Sequence, residues 1–404
     1  MPECPSDGRA DGTLRTAFEM TTTLVNHRAG FHFRVANLFL RVHWYEAAGN
    51  AYGRASRLRP HEPTFQFQRA WSLLEVPHRR VEAIAAFDSL LKLSPSSFGY
   101  YLMGCGLQKE RRNEEAVQAF DEAARLDPRA RTDPDYCYNY GLSLASIGRL
   151  EDAAEAFRDS ALLKPSQGEA WGFLGLMFMS IGRWTDAVPC LERAMRLAPS
   201  ALHGGYLGWT LLWLNRLDEA ERALRNTLLI DSRATDVKLA LAQVLAGQDR
   251  HDEALTIAHE VCAVTPVAMS SQLVLAEVLR DAGRLEEALK EANAAAMAWP
   301  SEPGPQVVLG TIHVDLNDGA AALAAFDRVQ RCVELSHESQ PASFHVSCAR
   351  ARGNALSLLG RHEEAMCAFE ETLRRDPDHF DRWPDGRAHY DCSLRETQRG
   401  AGRQ

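Results

Sequence analysis

At 404 residues, with 46% hydrophobic and 25% charged side chains, the chain has the composition of ordinary soluble protein. Its formal charge of −9 argues against a general affinity for nucleic acid or anionic membrane, which favour basic surfaces, but leaves room for a local basic patch. Nine cysteines lie scattered with no C-x-x-C pair, no signal-type apolar core opens the chain, and no apolar run is long enough to span a bilayer. Buried thiols in a reducing, cytoplasmic setting are therefore expected.

In chain order, residues 13–26 carry Leu14, Phe18, Leu24 and Val25 at helical spacing, the pattern of an amphipathic capping helix within an N-terminal segment 1–27. A regular series follows, in which an alanine stands twelve residues before a reference point. The pairs are Ala48–Pro60, Ala83–Pro95, Ala116–Pro128, Ala153–Pro165, Ala187–Pro199, Ala220–Ser232, Ala254–Pro266, Ala288–Pro300, Ala322–Glu334 and Ala365–Pro377. A register that recurs roughly every 34 residues means a stack of similar small units rather than one closed core.

Residues 168–199 show how one unit works. Trp171, Leu174, Gly175 and Phe178 fall on one helical face, and Gly182 ends that helix because glycine adopts the left-handed conformation without steric cost. The second helix opens near Asp186 and closes near Arg193 and Arg196, each charge complementing the helix dipole. Ala187, Leu191 and Ala194 form its packing stripe, and Pro199 stops it. Gly175 and Ala187 are small so that the two helices can approach closely.

This arrangement resembles the tetratricopeptide repeat. The family's tryptophan, leucine, glycine and aromatic correspond to Trp171, Leu174, Gly175 and Phe178, and its later alanines and proline to Ala187, Ala194 and Pro199. Leu191 replaces the second aromatic. Other units keep subsets, such as Tyr100, Gly104, Ala116, Phe120, Ala123 and Pro128, or Gly353, Gly360, Ala365, Phe369 and Pro377. The resemblance covers residues 28–377 and implies an all-α, right-handed superhelical solenoid of about ten helix-turn-helix repeats.

Departures from the pattern are local. Extra residues near Arg129–Asp135 and Ser336–Ser343 lengthen two connections. Residues 233–300 put Ala242 and Ala276 at the glycine position and Ala258 and Ala292 at the aromatic one, so weaker packing is expected there. The tail 378–404 contains Pro384, Gly386, Gly400 and Gly402. Only Arg387–Gln398 has helical character, and partial disorder is expected around it.

No catalytic spacing is present: nucleophile elbow, H-E-x-x-H and P-loop patterns are all missing, and no cofactor is expected. The glycines at 104 and 106, and at 204, 205 and 208, lie in first helices with no preceding strand, so they read as packing positions. The acids and histidine at 376–381 show no repeated metal-ligand spacing, and no metal is expected.

The resemblance further implies that first helices line a concave groove. Tyr101, Tyr138, Asn139, Leu142, Leu176, Met179, Trp209, Trp213, Arg350 and Asn354 are the candidate groove residues. Their apolar centre suits a partner's hydrophobic side chains, although Trp209 and Trp213 equally suit internal packing. Arg350 and Asn354 show the opening spacing of a carboxylate clamp but stand in the last repeat. The expected function is a non-catalytic scaffold for protein or peptide partners. The alternatives are a recognition subunit of a separately encoded enzyme, such as a glycosyltransferase or sulfotransferase, and self-association through the end faces.

Overall fold

A computed structural model of the chain describes residues 8–336, 342–382 and 387–401. Among the described residues it is all-α, built from ten helix pairs followed by a short C-terminal addition, and it divides into two compact units, residues 1–163 and 164–404. In the first unit the pairs are α1 (Gly8–Arg41) with α2 (Tyr45–Leu58), α3 (Pro63–Leu74) with α4 (Arg80–Leu93), α5 (Ser97–Lys109) with α6 (Asn113–Leu126), and α7 (Pro134–Ser146) with α8 (Leu150–Leu163).

The second unit continues with α9 (Gly168–Ile181) and α10 (Trp184–Leu197), α11 (Ala201–Trp213) and α12 (Leu217–Ile230), then α13 (Thr235–Gly247) and α14 (His251–Val264). The remaining pairs are α15 (Met269–Asp281) with α16 (Leu285–Ala298), α17 (Pro303–Asp315) with α18 (Gly319–Ser336), and α19 (Ala342–Leu358) with α20 (His362–Arg375). The addition consists of α21 (His379–Arg382) and α22 (Arg387–Ala401). Within each unit a second helix packs on the first helix of the following pair, so apolar surface is buried layer by layer.

The turn inside each pair has a fixed chemistry. Nine of the ten turns contain a left-handed residue: His43, Arg111, Gly148, Gly182, Asn215, Asp249, Gly283, Asn317 and Gly360. Gly182 sits at φ 91°, the conformation that ends α9. The tenth turn, between α3 and α4, uses a 3-10 segment at Pro77–Arg79 instead.

An arginine then precedes the second helix and pairs with a carboxylate three residues on. This occurs eight times among the described residues, at 2.6–2.7 Å, from Arg79–Glu82 and Arg112–Glu115 to Arg361–Glu364. The paired acid lies in the first helical turn, where negative charge interacts favourably with the positive end of the helix dipole. The recurrence is visible in the sequence as Arg-x-x-Asp/Glu, but the repeat pattern of alanine and proline does not single it out.

Close approach within pairs is as expected. A methyl added at Gly175 would stand 2.6 Å from Leu191 Cγ, so a larger side chain must push the Leu191 side chain aside. Residues 233–300 differ from expectation, since they lie inside the largest apolar cluster of the second unit. Ala242, Ala258, Ala276 and Ala292 are fully buried there beside Leu241, Val244, Leu245 and Leu279.

The insertions also take defined form. Residues 128–132 make a 3-10 turn, and Asp133 caps α7 by accepting from the backbone N–H groups of Asp135 and Tyr136. Around Ser336–Ser343, α18 runs to Ser336 and α19 starts at Ala342, while 337–341 lie outside the described residues. The expected capping helix is part of α1, which runs unbroken across residue 27; the side chains of Leu14, Phe18 and Leu24 lie outside the described residues. In the tail the expected helix around Arg387–Gln398 is α22, which packs on both α19 and α20, and a short further helix, α21, forms at His379–Arg382. Phe380 and Tyr390 stack on each other and edge-on against Phe369, which anchors the segment.

Candidate peptide-binding groove

In the first unit, α5 and α7 stand side by side and a polar chain joins them. Asn139 donates from Nδ2 to the Tyr101 hydroxyl (3.2 Å) and to the Asp135 carbonyl (2.8 Å). Gln108 donates from Nε2 to the Asn139 carbonyl (2.8 Å) and to Ser143 Oγ (3.0 Å). The ring of Tyr101 lies against Phe98, Phe120 and Tyr136. Burial pushes its hydroxyl pKa far up, so it stays a neutral hydrogen-bonding group.

Tyr138, by contrast, turns edge-on to Phe157 of α8 at 5.8 Å and belongs to the packing of its own pair. Leu142 is half-buried on the same helix. Of the four candidates in this unit, Tyr101 and Asn139 thus form one constellation, and Gln108 and Ser143 complete it.

The second unit brings its candidates together differently, because its last pair returns to its first. α19 runs beside α9, and His379 of α21 reaches Trp213 of α11. Trp213 packs against Trp184 (ring centroids 5.0 Å) and against His379 (6.1 Å), while Asn215 Nδ2 donates to the Arg382 carbonyl (2.8 Å). Trp213 is thus packed between the preceding helix pair and the chain's own C-terminal segment. Trp209 remains 38% exposed. Leu176 and Met179 are half-buried on α9, and Met179 packs onto the main apolar cluster.

The returning segment is held by a compact ionic knot. Asp376 and His379 are both buried, and Asp376 accepts from His379 Nδ1 (3.0 Å) and from Arg382. Burial works to raise the Asp376 carboxyl, but those two donors outweigh it and hold its pKa below the usual value. Burial depresses the His379 pKa below 6.5, the Asp376 partner opposes this, and the charge of Arg350 on α19 adds to the depression. Asn354, one turn along, is only 6% exposed, so it cannot serve as an open clamp residue. With the Asp376 carboxylate engaged by His379 and Arg382, the cluster is structural. Among the described residues no group of three or more His, Cys, Asp or Glu could hold a metal.

Between these ends, the first helices of the second unit carry a second polar row. Gln243 on α13 donates to Glu277 on α15, and Arg280 pairs with Asp281 (2.6 Å) and reaches Asp315 on α17 at 3.5 Å. Burial raises the Glu277 carboxyl above its ordinary pKa. Gln243 and Glu277 stand thirty-four residues apart in sequence, one repeat, and the Arg280–Asp315 contact likewise joins neighbouring pairs, so both bridge adjacent units of the stack.

A family model described as tetratricopeptide repeat matches residues 101–161, 138–201, 207–262 and 239–303. Protein O-mannosyl-transferase TMTC1 of Homo sapiens is 25% identical over 203 residues, 50% of this chain and 23% of that protein. Cytochrome c-type biogenesis protein CycH of Rhizobium meliloti (strain 1021) is 32% identical over 108 residues, 26% of this chain and 28% of that protein. The matched stretches span about a quarter of these curated relatives. A crystal structure of a tetratricopeptide repeat protein from Parabacteroides merdae aligns with TM-score 0.56 and 12% identity, over 64% of this chain and 98% of that one, a likeness of fold. No helix among the described residues is long and apolar enough to cross a membrane. Tandem matches to one repeat model, laid over helix pairs in the same register, establish that this chain is a tetratricopeptide repeat protein, built of a module that in general serves as a protein-interaction scaffold.

Proposed function

We propose that the chain is a non-catalytic adaptor that binds an extended or helical segment of a partner protein along its first-helix faces. The observation that carries this reading is the constellation of Tyr101, Asn139, Gln108 and Ser143, fixed across two repeats by hydrogen bonds. Asn139 uses both amide hydrogens inside the protein, which leaves its Oδ1 to accept from a partner's backbone N–H. A surface ordered in advance loses little entropy on docking, so modest contacts yield useful affinity. The row Gln243, Glu277 and Arg280 supports a second contact region of the same type in the second unit.

Affinity purification of the full chain with quantitative mass spectrometry tests the proposal, comparing wild type with Asn139→Ala and with Gln243→Ala/Glu277→Ala. Loss of the same interactors in a variant that keeps its melting temperature supports it. Retention of every interactor in both variants overturns it. The 25% identity to a protein O-mannosyl-transferase favours a second reading, a recognition subunit of a separately encoded enzyme such as a glycosyltransferase or sulfotransferase. A stoichiometric enzyme subunit in the same purification distinguishes that case from a set of unrelated clients. The free cysteines fit a reducing, cytoplasmic setting.

A further inference from the structure

The outer face of α1 differs from the matching face of every later first helix. Taking Gly104 of α5 and Ala36 of α1 as equivalent, each twelve residues before the second-helix alanine, Phe31 corresponds to Gly99 and Leu38 to Gly106. In α5 those positions are covered by the preceding pair: a methyl at Gly99 would meet Leu91 at 2.7 Å, and one at Gly106 would meet Leu74 at 2.6 Å. The equivalents of Leu38 further along, Ser143, Thr210, Val244 and Val278, are completely buried. On α1, Phe31 is 61% and Leu38 60% exposed, although both are larger and more apolar than most of their counterparts. Val42 continues the stripe one turn on. Residues 8–24 prolong the same helix rather than folding back across this face.

The flanks of the stripe carry one sign of charge. Arg34 and Arg41 lie along one side and Arg28 along the other, all exposed, with His27 and His32 beside them. No acidic residue occurs between Glu19 and Glu46, in a chain whose formal charge is −9. Two copies of α1 placed face to face would oppose like charges. The helix that covers this face must instead bring acids to the edges of its own apolar stripe.

From this we infer that the α1 face is a docking site for an amphipathic, acid-flanked α-helix of a partner protein, which adds to the stack in the place a preceding second helix would take. The second helices of this chain show the chemistry that fits. α6, which packs on the following α7, carries Glu114, Glu115, Asp121 and Glu122 around a stripe of Ala116, Val117, Phe120 and Ala123. The contact is helix-on-helix burial of Phe31 and Leu38, with Arg34 and Arg41 setting orientation and specificity from the rim.

The test uses a stapled, fluorescein-labelled peptide of residues 113–126 as the acidic probe, and the same peptide with its four acids changed to lysine as control. Both are titrated into the full chain by fluorescence anisotropy. Saturable binding of the acidic probe is expected, at least tenfold tighter than that of the control. Arg34→Glu/Arg41→Glu should weaken it tenfold or more, and Phe31→Ser/Leu38→Ser should remove it. All four side chains are exposed, so circular dichroism and melting temperature should not change in either variant. Equal binding of the two peptides, no saturation up to about 1 mM, or indifference to the substitutions overturns the inference. So does co-sedimentation of the wild type, but not of Arg34→Glu/Arg41→Glu, with phosphatidylserine-containing vesicles, which would make a membrane surface the occupant. A dimer in light scattering that Phe31→Ser/Leu38→Ser abolishes would make the occupant a second copy, and overturns it as well.

Discussion

If the C-terminal segment closes the second unit through α11, then cutting its two ties at that helix should free it while the repeats stay folded. Trp213→Ala removes the ring contact with His379 as well as that with Trp184 in the preceding pair, and Asn215→Gly removes the hydrogen bond to the Arg382 carbonyl. Glycine is the right replacement because Asn215 sits at φ 55°, where alanine would add backbone strain of its own. An aromatic contact of this kind contributes about 0.5–1.5 kcal/mol beyond area burial. A partly exposed hydrogen bond contributes about 0.5–1 kcal/mol. Together they amount to about 1–2.5 kcal/mol, so opening of α21 and α22 should become roughly 5- to 70-fold more frequent.

Hydrogen exchange resolved by mass spectrometry reads this directly, since local opening free energies appear as protection factors. The double variant should lose protection over residues 379–399 by that factor, with α13–α16 unchanged. Trp209→Ala makes the comparison, because Trp209 has no ring contact with His379, and it should leave the tail's protection as it is. The reasoning is refuted if tail protection is the same in wild type and the double variant, or if Trp209→Ala loosens the tail equally.

Acidification should release the same segment. The His379 pKa is depressed on folding, so the unfolded or opened state binds the proton more readily once pH falls below 6.5, and stability of the closed segment then declines; the depressed Asp376 pKa adds a further loss at lower pH. Tail protection that is flat from pH 8 to 7 and falls between pH 6.5 and 5 is the expected profile, and His379→Gln should remove its upper part. Gly175→Ala should cost about 1–3 kcal/mol by overpacking against Leu191, measured by urea unfolding of the full chain. Thiol reactivity should follow burial: Cys367 and Cys392 are exposed and should alkylate first at pH 8. Cys137 and Cys190, pushed up to about 11, and Cys348, pushed up to about 12, should lag by at least tenfold.

Much of the candidate site was legible one helix at a time. Tyr101 and Asn139 were placed on first helices by the repeat register, and the structure joins them. Tyr138 shares that register but is drawn to Phe157 of its own pair, because its position on the helix points toward α8 rather than across to α5. Asn354 was expected to face a ligand and is buried instead, since α22 covers the last pair. The acids and histidine at 376–381 are legible in the sequence only as a group that lacks metal-ligand spacing. No local pattern indicated that Trp213, more than 160 residues earlier, would be the partner of His379.

Periodicity alone was enough for the helix pairs, their turns and the small residues between them, because each of those features is enforced by contacts within one repeat or with the next. Steric fit of Gly175 against Leu191, or a left-handed residue at Gly182, depends on neighbours fewer than forty residues away. The meeting of α19 with α9, the burial of Trp213 and the exposure of Phe31 and Leu38 on α1 depend on contacts between residues far apart in sequence or on which helix faces a neighbour covers. Those are properties of tertiary packing, and only the folded molecule reveals them.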